Sequence, residues 1–98
     1  MTFSFHPEAQ NEFDVAVDYY ESAEAGLGWD FALEVHAAIQ NIIEFPEAWP
    51  VLEGEVRRCQ TSRFPFGVVY SPEPGQIFVL AVMHLHRRPG YWRERLGG

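Results

Sequence analysis

The sequence predicts an α+β protein in which a helical hairpin packs on one face of a small antiparallel sheet. Apolar residues recur at helical spacing through the first half of the chain, with acidic residues between them. Short runs of β-branched and aromatic residues, joined by turn sequences, fill most of the second half. The predicted order of elements is β-α-α-β-β-β, followed by a short C-terminal turn or helix.

The first predicted strand is "TFSF" at residues 2–5, where polar and apolar residues alternate. A helix follows, because Pro7 suits a first helical position and the apolar residues after it share one helical face. These apolar residues are Ala9, Phe13, Ala16, Val17 and Tyr20. The acids between them are interpreted as a solvated face, which comprises Glu8, Glu12, Asp14, Asp18, Glu21 and Glu24.

The second predicted helix begins near Trp29 or Asp30, since Gly26 and Gly28 are expected to break the first helix. It ends before Pro46, and its apolar stripe is made by Ala32, Val35, Ile39 and Ile42. The short connection that contains the glycines predicts that the two helices form an antiparallel hairpin.

Three strands are predicted after the helices. The stretch "PEAWPVLEGE" at 46–55 contains two prolines and is predicted to be a loop. The strands are "EVRRCQTS" at 55–62, "FPFGVVYS" at 64–71 and "QIFVLAVMHLH" at 76–86. Pro74-Gly75 fits the central pair of a type II turn, so the strands are predicted to form an antiparallel meander.

The last predicted strand is apolar on both faces, which is typical of a central strand. Strict alternation would place one set of side chains on one face, namely Ile77, Val79, Ala81, Met83 and Leu85. It would place Phe78, Leu80, Val82, His84 and His86 on the other. The helices can cover one face. The other is covered by the C-terminal tail or by a partner, or it forms an exposed apolar floor (Phe78, Leu80 and Val82).

Length and composition restrict the class of protein. The chain has 98 residues, of which 47% are hydrophobic, and this predicts one domain over residues 1–98 with a buried core. The N-terminus lacks a signal-peptide pattern, and no apolar run is long enough to span a bilayer, so we expect a cytoplasmic protein without membrane contact. Its one cysteine, Cys59, is interpreted as a buried apolar side chain.

Charge is divided between the two halves of the chain, although the net charge is −7. Residues 1–56 contain twelve of the fourteen acids and neither Lys nor Arg, whereas residues 57–98 contain all seven arginines and two acids. This division predicts either an anion-binding patch in the second half or arginines that pair with the acidic helices of the same molecule.

The stretch "HLHRRPGYW" at 84–92 concentrates side chains that can carry chemistry. Cleavage of RNA needs a proton acceptor, a proton donor and cations at the phosphate. His84 and Tyr91 are suitable residue types for the first two tasks, and Arg63 and Arg87 are suitable for the third. The residue types therefore permit a nuclease site, although their spacing does not show that they converge.

Simpler roles remain open for the same residues. His84 can bond to the backbone at a strand end, and Tyr91 and Trp92 can cap the apolar floor rather than stack on a base. No metal site is expected, because His84 and His86 have no third ligand nearby. No cofactor is expected either, since the sequence contains no phosphate-binding glycine loop.

Five stretches, taken in order, carry a resemblance to a known family. They are "FHPEAQNEFDVAVDYYES", "GLGWDFALEV", "IIEFPEAWPVL", "RRCQTSRFPFGVVY" and "IFVLAVMHLHRRPGYWRERL". Together they resemble the RelE/ParE superfamily of toxins from bacterial type II toxin–antitoxin modules, and most of all its ParE-like, plasmid-stabilisation branch. The resemblance extends over residues 3–96 and implies an α-helical hairpin on a small antiparallel sheet.

The resemblance implies two different activities. RelE-like members cleave mRNA on the ribosome, whereas ParE-like members poison DNA gyrase, and members of both kinds are neutralised by an antitoxin that wraps the toxin. The absence of lysine and the net charge of −7 depart from the basic RelE-like pattern, because RNA is a dense polyanion. The positions that correspond to RNA-contacting or catalytic groups of RelE-like members are Arg57 or Arg58, Arg63, His84, Arg87 and Tyr91.

We therefore expect a growth-inhibiting toxin that binds gyrase and whose oligomeric state is set by its antitoxin complex. One alternative is a ribosome-dependent mRNA endoribonuclease with His84, Arg63, Arg87 and Tyr91 as its catalytic residues. The other is a non-toxic homologue that still binds an antitoxin. The candidate residues for binding the target or the antitoxin are Arg57, Arg58, Phe78, Leu80, Val82, His86, Arg88, Trp92, Arg93 and Arg95.

Overall fold

The computed structural model describes residues 1–97 and confirms the α+β class. Two helices pack on one face of a five-stranded sheet. Within these residues, neither helix has the length and apolar character needed to cross a membrane. The elements are β1 (Thr2–Phe5), α1 (Pro7–Ala23), α2 (Leu27–Glu44), β2 (Val51–Glu53), β3 (Val56–Gln60), β4 (Phe66–Glu73), β5 (Gln76–His84) and a C-terminal 3-10 helix (Tyr91–Arg95).

The sheet has the strand order β1-β5-β4-β3-β2 and is mixed. β5 is antiparallel to β4 and parallel to β1, which corrects the expectation of a wholly antiparallel sheet. Strands joined by a tight turn must be antiparallel, whereas both helices follow β1 and leave its direction free of that restriction. The loop predicted at 46–55 is also corrected, because β2 lies within it and pairs with β3.

The helical hairpin forms as predicted, although its second helix begins earlier. Pro7 is the first residue of α1, and Gly26 has a φ of 90° in the connection. The prediction that Gly28 breaks a helix is wrong, because Gly28 lies inside α2. A Cβ atom at this position would stand 2.6 Å from the carbonyl oxygen of Val17 on α1. Gly28 therefore serves the close approach of the two helices.

A β-bulge interrupts the alternation of β5. Val69 pairs with Ala81, but the next residue of β4, Tyr70, pairs with Val79, so Leu80 is the extra residue. Val79 before the bulge and Val82 after it both belong to the core under the helices. The predicted division of β5 into two strictly alternating faces is therefore wrong.

A second, smaller core lies on the face of the sheet that the helices leave uncovered. Leu80 is fully buried there, and Phe78 packs against the cluster. Trp92 of the 3-10 helix covers this face and is only 2% exposed. The C-terminal tail is thus the cover, and the proposed apolar floor is not an open surface, because Leu80 and Val82 are buried in different cores. The residues of this second core are Val56, Val69, Leu80, Ala81, Met83 and Trp92.

Candidate functional site

A groove of about 570 Å³ opens between α1 and the ends of β4 and β5. We call it the α1 groove. Its wall is largely apolar, and Val15 and Tyr19 on this wall are 59% and 68% exposed. His84 and Arg87 provide its polar end together with Glu12. The lining residues are Glu12, Val15, Ala16, Tyr19, Tyr20, Pro65, Phe66, Val82, His84 and Arg87.

His84 lies at the end of β5 with its ring against Phe66, at a centroid distance of 5.2 Å. Its Nδ1 accepts a hydrogen bond from the backbone amide of His86 at 3.1 Å. That bond requires an unprotonated Nδ1, so the neutral ring carries its proton on Nε2. In this tautomer Nε2 is a hydrogen-bond donor rather than an acceptor.

Arg87 is exposed at the rim of the α1 groove, and its Cζ lies 4.0 Å from the centroid of the Tyr91 ring. It also lines a smaller pocket of about 170 Å³ beneath the 3-10 helix, together with Arg58 and Arg93. Within residues 1–97, Arg87 makes no ion pair. Arg87 is thus an accessible cation that borders two concave surfaces.

Glu12 on α1 anchors the C-terminal helix. Its carboxylate accepts hydrogen bonds from the guanidinium of Arg95 at 2.9 and 3.0 Å and from the hydroxyl of Tyr91 at 2.7 Å. It also accepts a hydrogen bond from the backbone amide of Val82 at 3.0 Å. Arg95 in turn donates a hydrogen bond to the carbonyl oxygen of Leu80. The carboxylate therefore binds the 3-10 helix and the strand beside the bulge at once.

Burial and the hydrogen bonds to Glu12 shift the pKa values of Tyr91 and Arg95. Burial raises the pKa of Tyr91, and the hydrogen bond to the Glu12 carboxylate raises it further. Burial by itself would lower the pKa of Arg95, but hydrogen bonding to Glu12 and its negative charge raise it instead. Because the Tyr91 hydroxyl already donates to a carboxylate, it is not free to donate a proton to a substrate.

Arg63 lies against α2 and not in the α1 groove. Its Nε is 2.8 Å from Glu34 Oε2, and its Nη2 is 3.3 Å from Asp30 Oδ2. The four residues predicted as a catalytic set are therefore not gathered around one point. His84 and Arg87 share the groove, Tyr91 contacts Arg87 through its ring, and Arg63 is held by the acids of α2.

The remaining candidate arginines have separate environments. Arg57 donates to the carbonyl oxygens of Glu47 and Trp49, and Arg93 pairs with Glu53 at 2.8 Å. The stem of Arg58 crosses Gly67, where an added Cβ would lie 2.7 Å from its Cδ. The candidates His86 and Arg88 are exposed. The seven arginines thus form no single continuous patch, and several of them pair with acids of the same chain, as one of the two interpretations of the charge pattern predicted.

Sequence reasoning missed Glu12, which was assigned to the solvated acidic face. A signal for it was present, because Glu12 lies three residues after Ala9 and four before Ala16, both of which are buried. It therefore shares the apolar side of α1. Val15 and Tyr19 were also missed as groove residues, since exposed apolar residues on a helix carry no sequence signal of their own. Within residues 1–97, no group of three or more His, Cys, Asp or Glu side chains is arranged to hold a metal ion.

Comparison with protein families gives one match over most of the chain. Residues 3–89 match the family described as the ParE toxin of the type II toxin–antitoxin system, parDE. The chain belongs to the ParE toxin family. The matched ParE region includes the whole α1 groove, whereas the 3-10 helix at Tyr91–Arg95 lies beyond it.

A solved chain from the chromosomal ParDE TA system from P. aeruginosa has a similar fold, with a TM-score of 0.74. The two chains are 15% identical, and the match covers 86% of this chain and 95% of the other. A search of curated proteins found no match. The structural likeness at this identity concerns the fold, and the family assignment rests on the sequence match.

Proposed function

We infer that this ParE-family toxin inhibits growth by binding DNA gyrase in the cytoplasm, and that an antitoxin neutralises it by occupying the α1 groove. The groove, which has apolar walls and the exposed cation Arg87 at its rim, supports the antitoxin site. Membership of the ParE family, to which the resemblance assigns gyrase as the target, supports gyrase binding. An amphipathic segment with apolar and acidic side chains complements such a surface. Growth arrest of cells that lose the antitoxin would account for plasmid stabilisation by such a pair.

A protein target is better supported than RNA. Arg63, Arg93 and Arg95 are each paired with a carboxylate, and these carboxylates offset the attraction of the three guanidinium groups for phosphates. The net charge of −7 also opposes association with a polyanion. Arg87 alone among the predicted catalytic cations lines the groove with His84.

The ribonuclease alternative rests on His84 and Arg87 sharing the α1 groove. The second group predicted for proton transfer is already engaged, because the Tyr91 hydroxyl donates a hydrogen bond to Glu12. Primer extension on translated mRNA after induction of the toxin separates the two functions. New cleavage sites that disappear in His84→Ala would favour the nuclease, whereas unchanged transcripts in growth-arrested cells favour gyrase.

Expression in a bacterial host tests whether the chain is a toxin. We expect growth arrest when the protein is produced alone and normal growth when the product of the neighbouring gene is co-expressed. Arg87→Ala should weaken the arrest without lowering the amount of soluble protein. Normal growth with abundant folded wild-type protein would instead favour a non-toxic homologue that binds an antitoxin.

A pull-down with the product of the neighbouring gene tests the groove. Tyr19→Asp places a charge on the apolar wall and should abolish binding, because a carboxylate there would be desolvated against apolar side chains. Trp29→Asp is a matched control, since Trp29 is 67% exposed on α2, Tyr19 is 68% exposed, and Trp29 lies outside the groove. If Tyr19→Asp still binds the gene product as well as Trp29→Asp does, the groove is not the binding site.

A further inference from the structure

We propose that Glu12 is a positioning residue of the toxin, which holds the Tyr91 ring and through it fixes the Arg87 guanidinium at the rim of the α1 groove. The consequence for toxicity rests on the function proposed above. The positioning itself concerns this chain alone and can be measured without any partner.

Glu12 holds the Tyr91 ring through the hydroxyl group of that ring. Glu12 Oε2 accepts the Tyr91 hydroxyl at 2.7 Å and one guanidinium nitrogen of Arg95 at 3.0 Å. Its Oε1 accepts the other guanidinium nitrogen at 2.9 Å and the amide of Val82 at 3.0 Å. Both oxygens are thus engaged by donors from two different parts of the chain. The Glu12 side chain is only 15% exposed, so water competes weakly with these bonds.

The Tyr91 ring in turn supports the guanidinium group of Arg87. The Arg87 Cζ lies 4.0 Å from the centroid of the Tyr91 ring, within the range of a cation–π contact. The Cζ of Arg95 lies 5.0 Å from the same centroid, so two guanidinium groups share the ring. Because the ring is held by its hydroxyl at one end, its face is presented to Arg87 in a defined orientation.

Arg87 needs such a support. It is exposed, and within residues 1–97 no carboxylate pairs with it, so its flexible side chain would otherwise sample many rotamers. A recognition residue that is held in place before binding loses less conformational entropy when the partner arrives. Glu12 therefore increases the affinity of the toxin for its target through Arg87, although the Glu12 side chain itself is mostly shielded from solvent.

Nuclear magnetic resonance tests the positioning directly. A guanidinium stacked on an aromatic ring has its Hδ and Hε resonances shifted upfield, and we expect this shift for Arg87 in the wild-type protein. Glu12→Gln should move these resonances toward the values in Tyr91→Leu, which removes the ring. Asp18→Asn, an exposed acid of α1 outside the groove, should leave them unchanged.

Tyr91→Phe keeps the ring and removes only the hydroxyl that Glu12 holds. It should reduce the Arg87 shift while the amide spectra of α1, α2 and the sheet stay native. If folded Glu12→Gln and Tyr91→Phe both keep the full wild-type Arg87 shift, the proposal is overturned. The Tyr91→Phe variant keeps the test informative if Glu12→Gln does not fold.

Inhibition of gyrase supercoiling then tests the consequence. Glu12→Gln should weaken inhibition by roughly tenfold, and the Glu12→Gln/Arg87→Ala double variant should be no weaker than Arg87→Ala alone. Additive losses would show that Glu12 acts independently of Arg87 and would overturn the proposal. If the wild-type protein does not inhibit gyrase, the proposed target fails, while the resonance shifts still decide whether Glu12 positions Arg87.

Discussion

The Nε of Arg63 lies 2.8 Å from Glu34 Oε2, while Glu34 Oε1 accepts the backbone amides of Ser62 and Arg63 at 3.0 and 2.8 Å. One carboxylate of α2 thus holds the connection between β3 and β4. The pair shows how the acidic first half and the arginine-rich second half of the chain complement each other. The same relationship recurs between Glu12 and Arg95.

Glu34→Gln should lower the free energy of unfolding by about 1 kcal/mol at neutral pH, because the carboxylate accepts two backbone amides at a partly buried site. Chemical denaturation of the wild-type and variant proteins measures the difference. Glu44→Gln changes an exposed acid at the end of the same helix and serves as the control. An equal effect of both substitutions would contradict a specific role for Glu34.

The effect of Glu34 should depend on pH. Partial burial by itself would raise the pKa of Glu34, but hydrogen bonds from Arg63 and Ser62 and the charge of Arg63 lower it below its ordinary value of 4.5. The unfolded chain therefore takes up the proton first on acidification. The stabilisation by Glu34 is complete above pH 4.5 and is lost as the pH falls through the lower pKa of the folded state. The difference between wild type and Glu34→Gln should shrink over that interval in denaturation series at several pH values.

Trp92→Ala should destabilise the protein by about 3 kcal/mol or more, because it removes the cover of the second core. Leu80 and Met83, which are now buried, would become accessible to solvent. Denaturation and binding of a hydrophobic dye measure the two effects. Trp29→Ala, at a side chain that is 67% exposed, should change stability by less than about 0.5 kcal/mol. Similar losses at both positions would refute the role of the 3-10 helix as a cover.

Gly28→Ala should destabilise the hairpin, although alanine in a helix is ordinarily favoured over glycine by about 1 kcal/mol. The new Cβ would meet the carbonyl oxygen of Val17 at 2.6 Å, and overpacking of this kind costs about 1–3 kcal/mol. Gly26 differs, because no neighbouring atom of residues 1–97 would lie within 4 Å of a Cβ added there, and only its φ of 90° is restrictive. Asn tolerates that backbone conformation, so Gly26→Asn should be milder than Gly28→Asn. A stabilised Gly28→Ala variant in thermal unfolding would show that the helices do not approach so closely.

Tyr70→Phe should lower the free energy of unfolding by about 1 kcal/mol, because the buried hydroxyl donates to the carbonyl oxygen of Pro46 at 2.7 Å. Burial raises the pKa of Tyr70 to about 12, against the opposing charge of Arg57. The unfolded chain releases this proton near the ordinary value of 10.0, so stability falls as the pH rises from there through about 12. An absorbance titration at alkaline pH should lose one late step in the variant, and an unchanged curve would contradict the assignment.

The helices and most strands could be predicted, because their periodicity follows from burial of one face. The bulge in β5 could not. Every position from Ile77 to Met83 is apolar, so a shift of one residue moves no polar group into a core and leaves no trace in the sequence. The parallel pairing of β1 was missed for a related reason, since four residues next to a long crossover carry no information on direction.

The candidate site was predictable in part. The end of β5 and the turn after it were identified from residue types, and His84 and Arg87 do share a groove. The contact between Glu12 and Arg95 joins residues 83 positions apart and depends on the bulge, which presents the Val82 amide and the Leu80 carbonyl to the pair. Such a contact requires the tertiary arrangement, whereas the placement of Glu12 on the apolar side of α1 required only its spacing from Ala9 and Ala16.

A supercoiling assay with purified gyrase is the decisive measurement of whether this toxin acts on gyrase. The wild-type protein should inhibit supercoiling and trap cleaved DNA on the enzyme, Arg87→Ala should be much weaker, and the control Trp29→Ala should match the wild type. Undisturbed supercoiling and no trapped DNA at saturating concentrations of the folded wild-type protein would contradict the claim.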